Sequence, residues 1–130
     1  MSDKRFAHTP QPPYYSVIFA SQRTARDNGY TEMADLLDKL AAQQPGFLGA
    51  EFARDASGFG ITVSYWQDLD SIARWKAQAT HLQAQALGKS DWYEGFELRI
   101  AKVERAYNFR AAGPAAMVTA DAEQSPPAQR

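Results

Sequence analysis

Apolar positions along the chain recur with a period of two in some stretches and about 3.6 in others, and the changes of period mark the elements. Tyr14 to Ser21, YYSVIFAS, sets Tyr15, Val17 and Phe19 against Tyr14, Ile18 and Ala20. Both sets are apolar, which predicts a central strand covered on both faces. The polar loop QRTARDNG follows, and Asn28-Gly29 is a turn signal. A helix is then expected from Thr31 as N-cap, with Glu32 and Asp35 in its first turn. Met33, Leu36, Leu37, Leu40 and Ala41 form its apolar stripe, Asp35 and Lys39 an outer i,i+4 pair, and Pro45-Gly46 its stop.

Phe47–Ala53 and Phe59–Trp66 read as strands joined by the short turn Arg54–Gly58, hence an antiparallel hairpin. In the second of these strands Phe59, Ile61, Val63 and Tyr65 share one face, and Gly60, Thr62, Ser64 and Trp66 share a more polar one. Asp68 is placed to cap a second helix, with Leu69, Ile72, Trp75 and Ala79 along one side. Thr80-His81-Leu82-Gln83 fits a capping box, which predicts a break and restart at Thr80. On one unbroken helix His81 would lie about 180° from Ile72 and face solvent; a break turns it toward the sheet. Gly88 fits the C′ position of that helix. A last strand is expected from Glu94 to Phe109. Phe96, Leu98 and Ile100 alternate on one face, then Ala101, Val103, Tyr107 and Phe109 on the other. Such a phase change predicts a bulge, or a second half packed on another subunit.

The order strand, helix, strand, strand, helix, strand predicts an α+β, ferredoxin-like βαββαβ domain with an antiparallel four-stranded sheet. Two helices cover one face of such a sheet, so the other apolar face calls for a partner. A homodimer through the sheet face and the long last strand is the simple solution. Residues 1–13 read as a flexible leader, 14–109 as the domain, and 110–130, rich in Ala, Pro and Gln, as a disordered tail.

Composition narrows the chemistry. Hydrophobic residues make up 45% of the 130-residue chain and aromatics 12%, as in a globular protein. A net charge of -1 without a basic cluster argues against nucleic acid. The absence of cysteine excludes disulfides, thiolate metal sites and a cysteine nucleophile, and His8 and His81 are too few for an all-imidazole metal site. The longest apolar run, Val17 to Ala20, is too short to span a membrane or serve as a signal peptide. The expectation is a cytoplasmic, soluble protein with no membrane partner. There is no phosphate-binding glycine loop and no flavin or nicotinamide signature, so no cofactor is expected.

YYSVIFASQRT, AAQQPGFLGAE, ITVSYWQDLDSIARWKAQATHL and WYEGFELRIAKVERAYNF, in this order over Tyr14 to Phe109, resemble the antibiotic biosynthesis monooxygenase (ABM) family. The resemblance implies a dimeric α+β barrel, with a pocket between sheet and helices. It implies cofactor-independent oxygenation of phenols or quinols, or haem degradation. In the haem degraders the Trp matching Trp75 is followed ten residues later by the ligand histidine. Here that position is Gln85, a poor iron ligand. The asparagine those enzymes carry near the end of the first strand is also absent from Phe19-Ala20-Ser21. The leading expectation is a cofactor-independent monooxygenase for a small aromatic or quinol-like compound. The alternative is a non-catalytic binding protein for a small hydrophobic molecule or haem.

His81 is the candidate acid/base, since imidazole titrates near neutral pH; its plain reading is an exposed helix residue. Trp66, Trp75 and Trp92 could line a slot for a flat substrate, or could serve as packing residues. Tyr15, Tyr65 and Tyr93 are similar candidates, and Ser21 and Ser64 are candidates for orienting a substrate oxygen, or else ordinary strand serines. Arg99 is a candidate for holding an oxyanion, or else a surface ion pair with Glu97 or Glu51.

Overall fold

The computed structural model describes residues 5–86, 89–112 and 115–118. Its elements are β1 (Tyr14–Arg23), α1 (Tyr30–Ala42), β2 (Phe47–Arg54), β3 (Phe59–Trp66), α2 (Leu69–Ala86), α3 (Lys89–Trp92), β4 (Tyr93–Val103), β5 (Phe109–Ala112) and β6 (Ala115–Val118). β1 to β4 form one sheet in the order β2-β3-β1-β4, with every neighbouring pair antiparallel. With α1 and α2 this is the expected ferredoxin-like α+β fold. No helix among the described residues is long and apolar enough to cross a membrane.

β1 is an interior strand, as its two apolar faces require, but the helices cover only one of those faces. On the covered side lie Tyr15, Val17, Phe19 and Ser21 of β1 with Trp66, Ser64, Thr62 and Gly60 of β3 opposite them. The other side carries Tyr14, Ser16, Ile18 and Ala20 with Tyr65, Val63 and Ile61. There Phe59 and Ile61 stay 44% and 41% exposed. Part of the leader lies on this open face. The Ala7 N–H donates to Glu51 Oε2 at 3.0 Å, and Thr9 Oγ1 shares a 2.8 Å hydrogen bond with the Tyr14 hydroxyl.

The turns are built as the sequence predicts. In the β2–β3 turn Asp55 Oδ1 accepts from Ser57 N, Ser57 Oγ and Phe59 N at 2.7–3.1 Å. Before α1, Asn28 and Gly29 have φ of 41° and 88°. The helix starts at Tyr30, a residue earlier than expected, and Thr31 is not its cap. Instead Asp27 Oδ1 accepts from both the Thr31 N–H and its hydroxyl, because the left-handed Asn28-Gly29 corner brings Asp27 back over the first turn. Asp68 caps α2 as predicted: its Oδ1 accepts from Ser71 N at 2.8 Å and Ser71 Oγ at 2.7 Å.

Two expectations are corrected. α2 runs unbroken through Thr80. The Thr-x-x-Gln pattern caps a helix only where a chain end leaves amides free, and here the preceding turn already satisfies them. β4 ends at Val103 rather than Phe109 and pairs with β1 without a break from Gly95 to Val103. The apolar phase change within it is no bulge. It reflects a strand apolar on both sides, with Leu98 and Ile100 toward the helices and Ala101 and Val103 on the open face. Phe109–Ala112 then pairs with Ala115–Val118 as a separate two-stranded hairpin in the stretch read as tail. Gly88, the Gln85 side chain, and the expectations for residues 1–4 and 119–130 lie outside the described residues.

Gly46 joins the helix layer to the sheet. Its φ is 90°, and a Cβ built on it would lie 2.0 Å from Ser71 Oγ in the first turn of α2. Its carbonyl accepts from Gln67 N at 2.7 Å. Gly46→Ala therefore incurs a left-handed backbone penalty of about 1–2 kcal/mol together with a collision against the α2 cap. Urea unfolding should show a lower midpoint with the slope unchanged, the product of slope and midpoint shift being at least that free energy.

Candidate functional site

The covered side of the sheet is a floor of successive cross-strand rows. One row is Ala50, Ser64, Val17 and Ile100; the next is Phe52, Thr62, Phe19 and Leu98; the third is Arg54, Gly60, Ser21 and Phe96. Phe52, Phe96, Leu98 and Ile100 keep 38–58% of their surface exposed although the helices lie on this side. No residue of α1 is fully buried, and Leu36 of its apolar stripe remains exposed. The helices thus leave much of this apolar side of the sheet uncovered, and the rows over β1 and β4 form an apolar slot along it. Six residue steps of strand separate Tyr15 from Ser21, so the slot is about 20 Å long.

One end is closed by tryptophan. Trp66, at the end of β3, is completely buried; its ring stacks on Trp75 of α2 at 6.3 Å and 20°, and meets Phe47 edge-on at 5.3 Å. Its Nε1 donates to Ser64 Oγ at 2.9 Å, so burial leaves no donor unpaired. Tyr15 lies opposite Trp66 in register.

The other end is aromatic and cationic. Tyr93 meets Phe19, Phe96 and Tyr30 at ring distances of 5.7–5.8 Å. Arg54 reaches across β3 and donates to Ser21 O (3.3 Å), Ser21 Oγ (3.1 Å), Gly58 O (2.6 Å) and the Tyr30 hydroxyl (3.4 Å). Arg23 places its guanidinium 3.5 Å from the centre of the Tyr30 ring and donates through Nε to the Trp92 carbonyl at 2.9 Å. Trp92 is buried behind this cluster, and its Nε1 donates to Asn28 O at 3.0 Å.

The structure therefore divides the residues singled out in the sequence. Trp66, Trp75, Tyr15 and Ser21 share the helix side of the sheet, the first three at one end of the slot and Ser21 at the other. Trp92 holds the β1–α1 loop to the start of β4. Tyr65 and Arg99 belong to the open face. The Tyr65 hydroxyl donates to Glu51 Oε1 at 2.7 Å, and Arg99 pairs with Glu97 at 3.9 Å, both exposed. His81 is exposed on α2, where an unbroken helix puts it.

Sequence reasoning finds Tyr93 and misses Arg54, Tyr30 and Arg23. Arg54 had been assigned to a polar turn, yet continuing the β2 alternation from Phe52 would have put it on the same side. The sequence puts Arg23 in a polar loop and Tyr30 between that loop and the helix, and only the fold brings them to Tyr93.

Burial raises the Tyr93 phenol well above its ordinary value, reinforced by Tyr30 and opposed by Arg54 and Arg23. Burial and then the bond to the Glu51 carboxylate raise Tyr65 in the same way. The folded state favours both neutral phenols. Their contribution to stability is full below about pH 10 and is lost as the pH rises through the folded values. In an alkaline titration followed at 295 nm, Tyr93→Phe and Tyr65→Phe should each remove amplitude from the late, high-pH part of the curve and leave the early part unchanged.

Comparison with known proteins agrees with this fold. The antibiotic biosynthesis monooxygenase profile matches residues 24–87. The chain is 52% identical over 97 residues to the YqjZ protein of Bacillus subtilis, covering 75% of this chain and 85% of that one. It is 29% identical over 92 residues to a jasmonate monooxygenase of Pyricularia oryzae, covering 68% of this chain and 43% of the longer fungal protein. In fold it is similar to SnoaB, a cofactor-independent oxygenase from Streptomyces nogalater. The TM-score is 0.59 at 17% identity, over 73% of this chain and 97% of that one. PA3566 of Pseudomonas aeruginosa gives 0.56 at 14%, over 75% and 98%. By profile and by relationship along most of its length, the chain belongs to the antibiotic biosynthesis monooxygenase family.

Proposed function

We propose that the protein is a cofactor-independent monooxygenase that oxidises a small aromatic or quinol-like compound in the slot between sheet and helices. The observation that carries this reading is the slot itself. It is floored by Val17, Phe19, Phe52, Leu98 and Ile100 and closed at one end by the Trp66–Trp75 stack. An apolar cleft with a few convergent polar groups suits a flat, mostly apolar molecule. Family membership supports a monooxygenase, and the fungal relative named for oxidising jasmonate supports a small organic substrate.

The chemistry asks little of the protein. An activated methylene beside a phenol, once deprotonated, supplies the electrons that reduce dioxygen. Methylene plus dioxygen gives carbonyl plus water, and the four electrons balance without an external reductant. What remains is to orient the ring, keep water out and favour the ionised substrate. Trp75 and Tyr15 serve as walls, with Trp66 buried behind Trp75, and Ser21 lies at the polar end with Arg54. His81 is on the solvent side of α2 and is assigned no proton transfer.

Oxygen uptake with a panel of anthrones and hydroquinones tests this. The wild type should consume oxygen, His81→Ala should match its rate, and Trp75→Ala should lose at least about tenfold in kcat/KM through disordered substrate. Absence of uptake with every compound would refute the reading.

We also propose that the open sheet face pairs with a second copy, since Phe59 and Ile61 are exposed there beside Val63 and Ile18. Light scattering should report a dimer for the wild type and a monomer for Ile61→Glu, which places a charge in the apolar contact.

A further inference from the structure

The cationic end of the slot has a feature that packing does not require. Arg54 and Arg23 both lie on the helix side of the sheet, half-buried, and converge on Tyr30 from its hydroxyl and its ring face. Among the described residues no carboxylate comes within 4 Å of either guanidinium, in contrast to Arg26 beside Asp91 and Arg99 beside Glu97. Asp27, the carboxylate that Arg23 influences, is exposed and already accepts from Thr31. The partners of Arg54 are two carbonyls, two hydroxyls and the Phe52 ring at 5.6 Å. Every one is neutral. Two partly desolvated cations without a counter-ion are costly, and an anion placed between them offsets that cost.

The sheet is cut to let Arg54 reach this position. Gly60 lies between Arg54 on β2 and Ser21 on β1 in the same row. A Cβ at Gly60 would sit 2.8 Å from Arg54 Cζ. The missing side chain opens a path over β3, along which the guanidinium crosses to Ser21 and Tyr30. An arginine serving only as a surface charge would extend into solvent and need no such gap.

We propose that Arg54, with Arg23 and the Tyr30 hydroxyl, binds the anionic oxygen head group of an otherwise apolar ligand, its rings lying along Phe19, Phe96 and Leu98. The ligand class is an aromatic or alicyclic molecule with one carboxylate or one ionised phenol. This deepens the reading of the slot as a substrate site and rests on it in that respect. A phenolate held here would be kept in the electron-rich form that reacts with dioxygen.

The test is equilibrium binding, which needs no turnover. Calorimetry on the full chain at neutral pH compares 2-naphthoate with its methyl ester, which has the same rings and no charge. The acid should bind about tenfold more tightly, a difference of about 1.4 kcal/mol. Arg54→Gln and Arg23→Gln should each shrink that ratio to about twofold or less, while the affinity for the ester and the circular dichroism spectrum stay as in the wild type. Lys39→Gln, on the exposed side of α1, should leave the ratio unchanged. A nitronaphthol that is ionised at neutral pH, compared with its methyl ether, separates the two sources. A preference for this anion as well assigns the site to phenolates and carboxylates alike, and its absence assigns it to carboxylates. Equal binding of acid and ester, no binding of either, or an acid preference that survives both arginine substitutions overturns the inference. If Arg54→Gln does not fold, Arg23→Gln with the wild-type comparison decides it. Acid-selective binding without oxygen uptake would sink the monooxygenase reading and leave this one standing; oxygen uptake with no acid preference would do the reverse.

Discussion

The fully buried indole of Trp66 sets how the two layers of this molecule meet. Such a large side chain can be buried at the end of a strand only if its N–H finds an acceptor, and Ser64 Oγ, two residues back on the same face, provides one. The ring is then free to stack on Trp75, which pins α2 to the sheet near the point where the helix begins. The Asp68 cap and the seat of Gly46 against Ser71 fix the same corner. With the helix layer anchored there, the apolar rows toward β4 are only partly covered. The slot is a consequence of where the helices are tied down.

The same argument accounts for the small core. Tyr14, Trp66, Ile72 and Trp92 are the buried large apolar residues, accompanied by the buried serines Ser16, Ser21 and Ser71. Much of the apolar surface is divided between a slot on one side and an open face on the other. A chain built in this way gains hydrophobic stabilisation when either surface is covered, and both coverings add to the stability of the fold by mass action.

The fold was legible because strand alternation and helix stripes are local patterns. The two faces of β3 were read directly from Phe59, Ile61, Val63 and Tyr65 against Gly60, Thr62, Ser64 and Trp66, and pairing with β1 confirms them. The site was legible only in part. Trp66 and Ser21 could be placed on the slot side by strand alternation, and Trp75 by its place in the apolar stripe of α2. Arg54 could not be recognised, because its meaning depends on Gly60 one strand away and Tyr30 on a helix. Local pattern misled at Thr80, where a capping motif sits inside a helix with no free amides to cap. At Arg99 alternation is enough: it sets Arg99 opposite Phe96, Leu98 and Ile100, and the structure has it there, on the open face beside Glu97.

The difference between Arg99 and Arg54 shows why a site has to be argued from three dimensions. Both are arginines on strands, and both could hold an oxyanion on paper. Arg99 stands on the open face beside Glu97, exposed, where solvent and a neighbouring carboxylate reduce its pull on any third charge. Arg54 lies against an apolar slot, surrounded by neutral acceptors that orient it without cancelling its charge. In that lower-dielectric setting the same unit charge acts more strongly on a ligand oxygen.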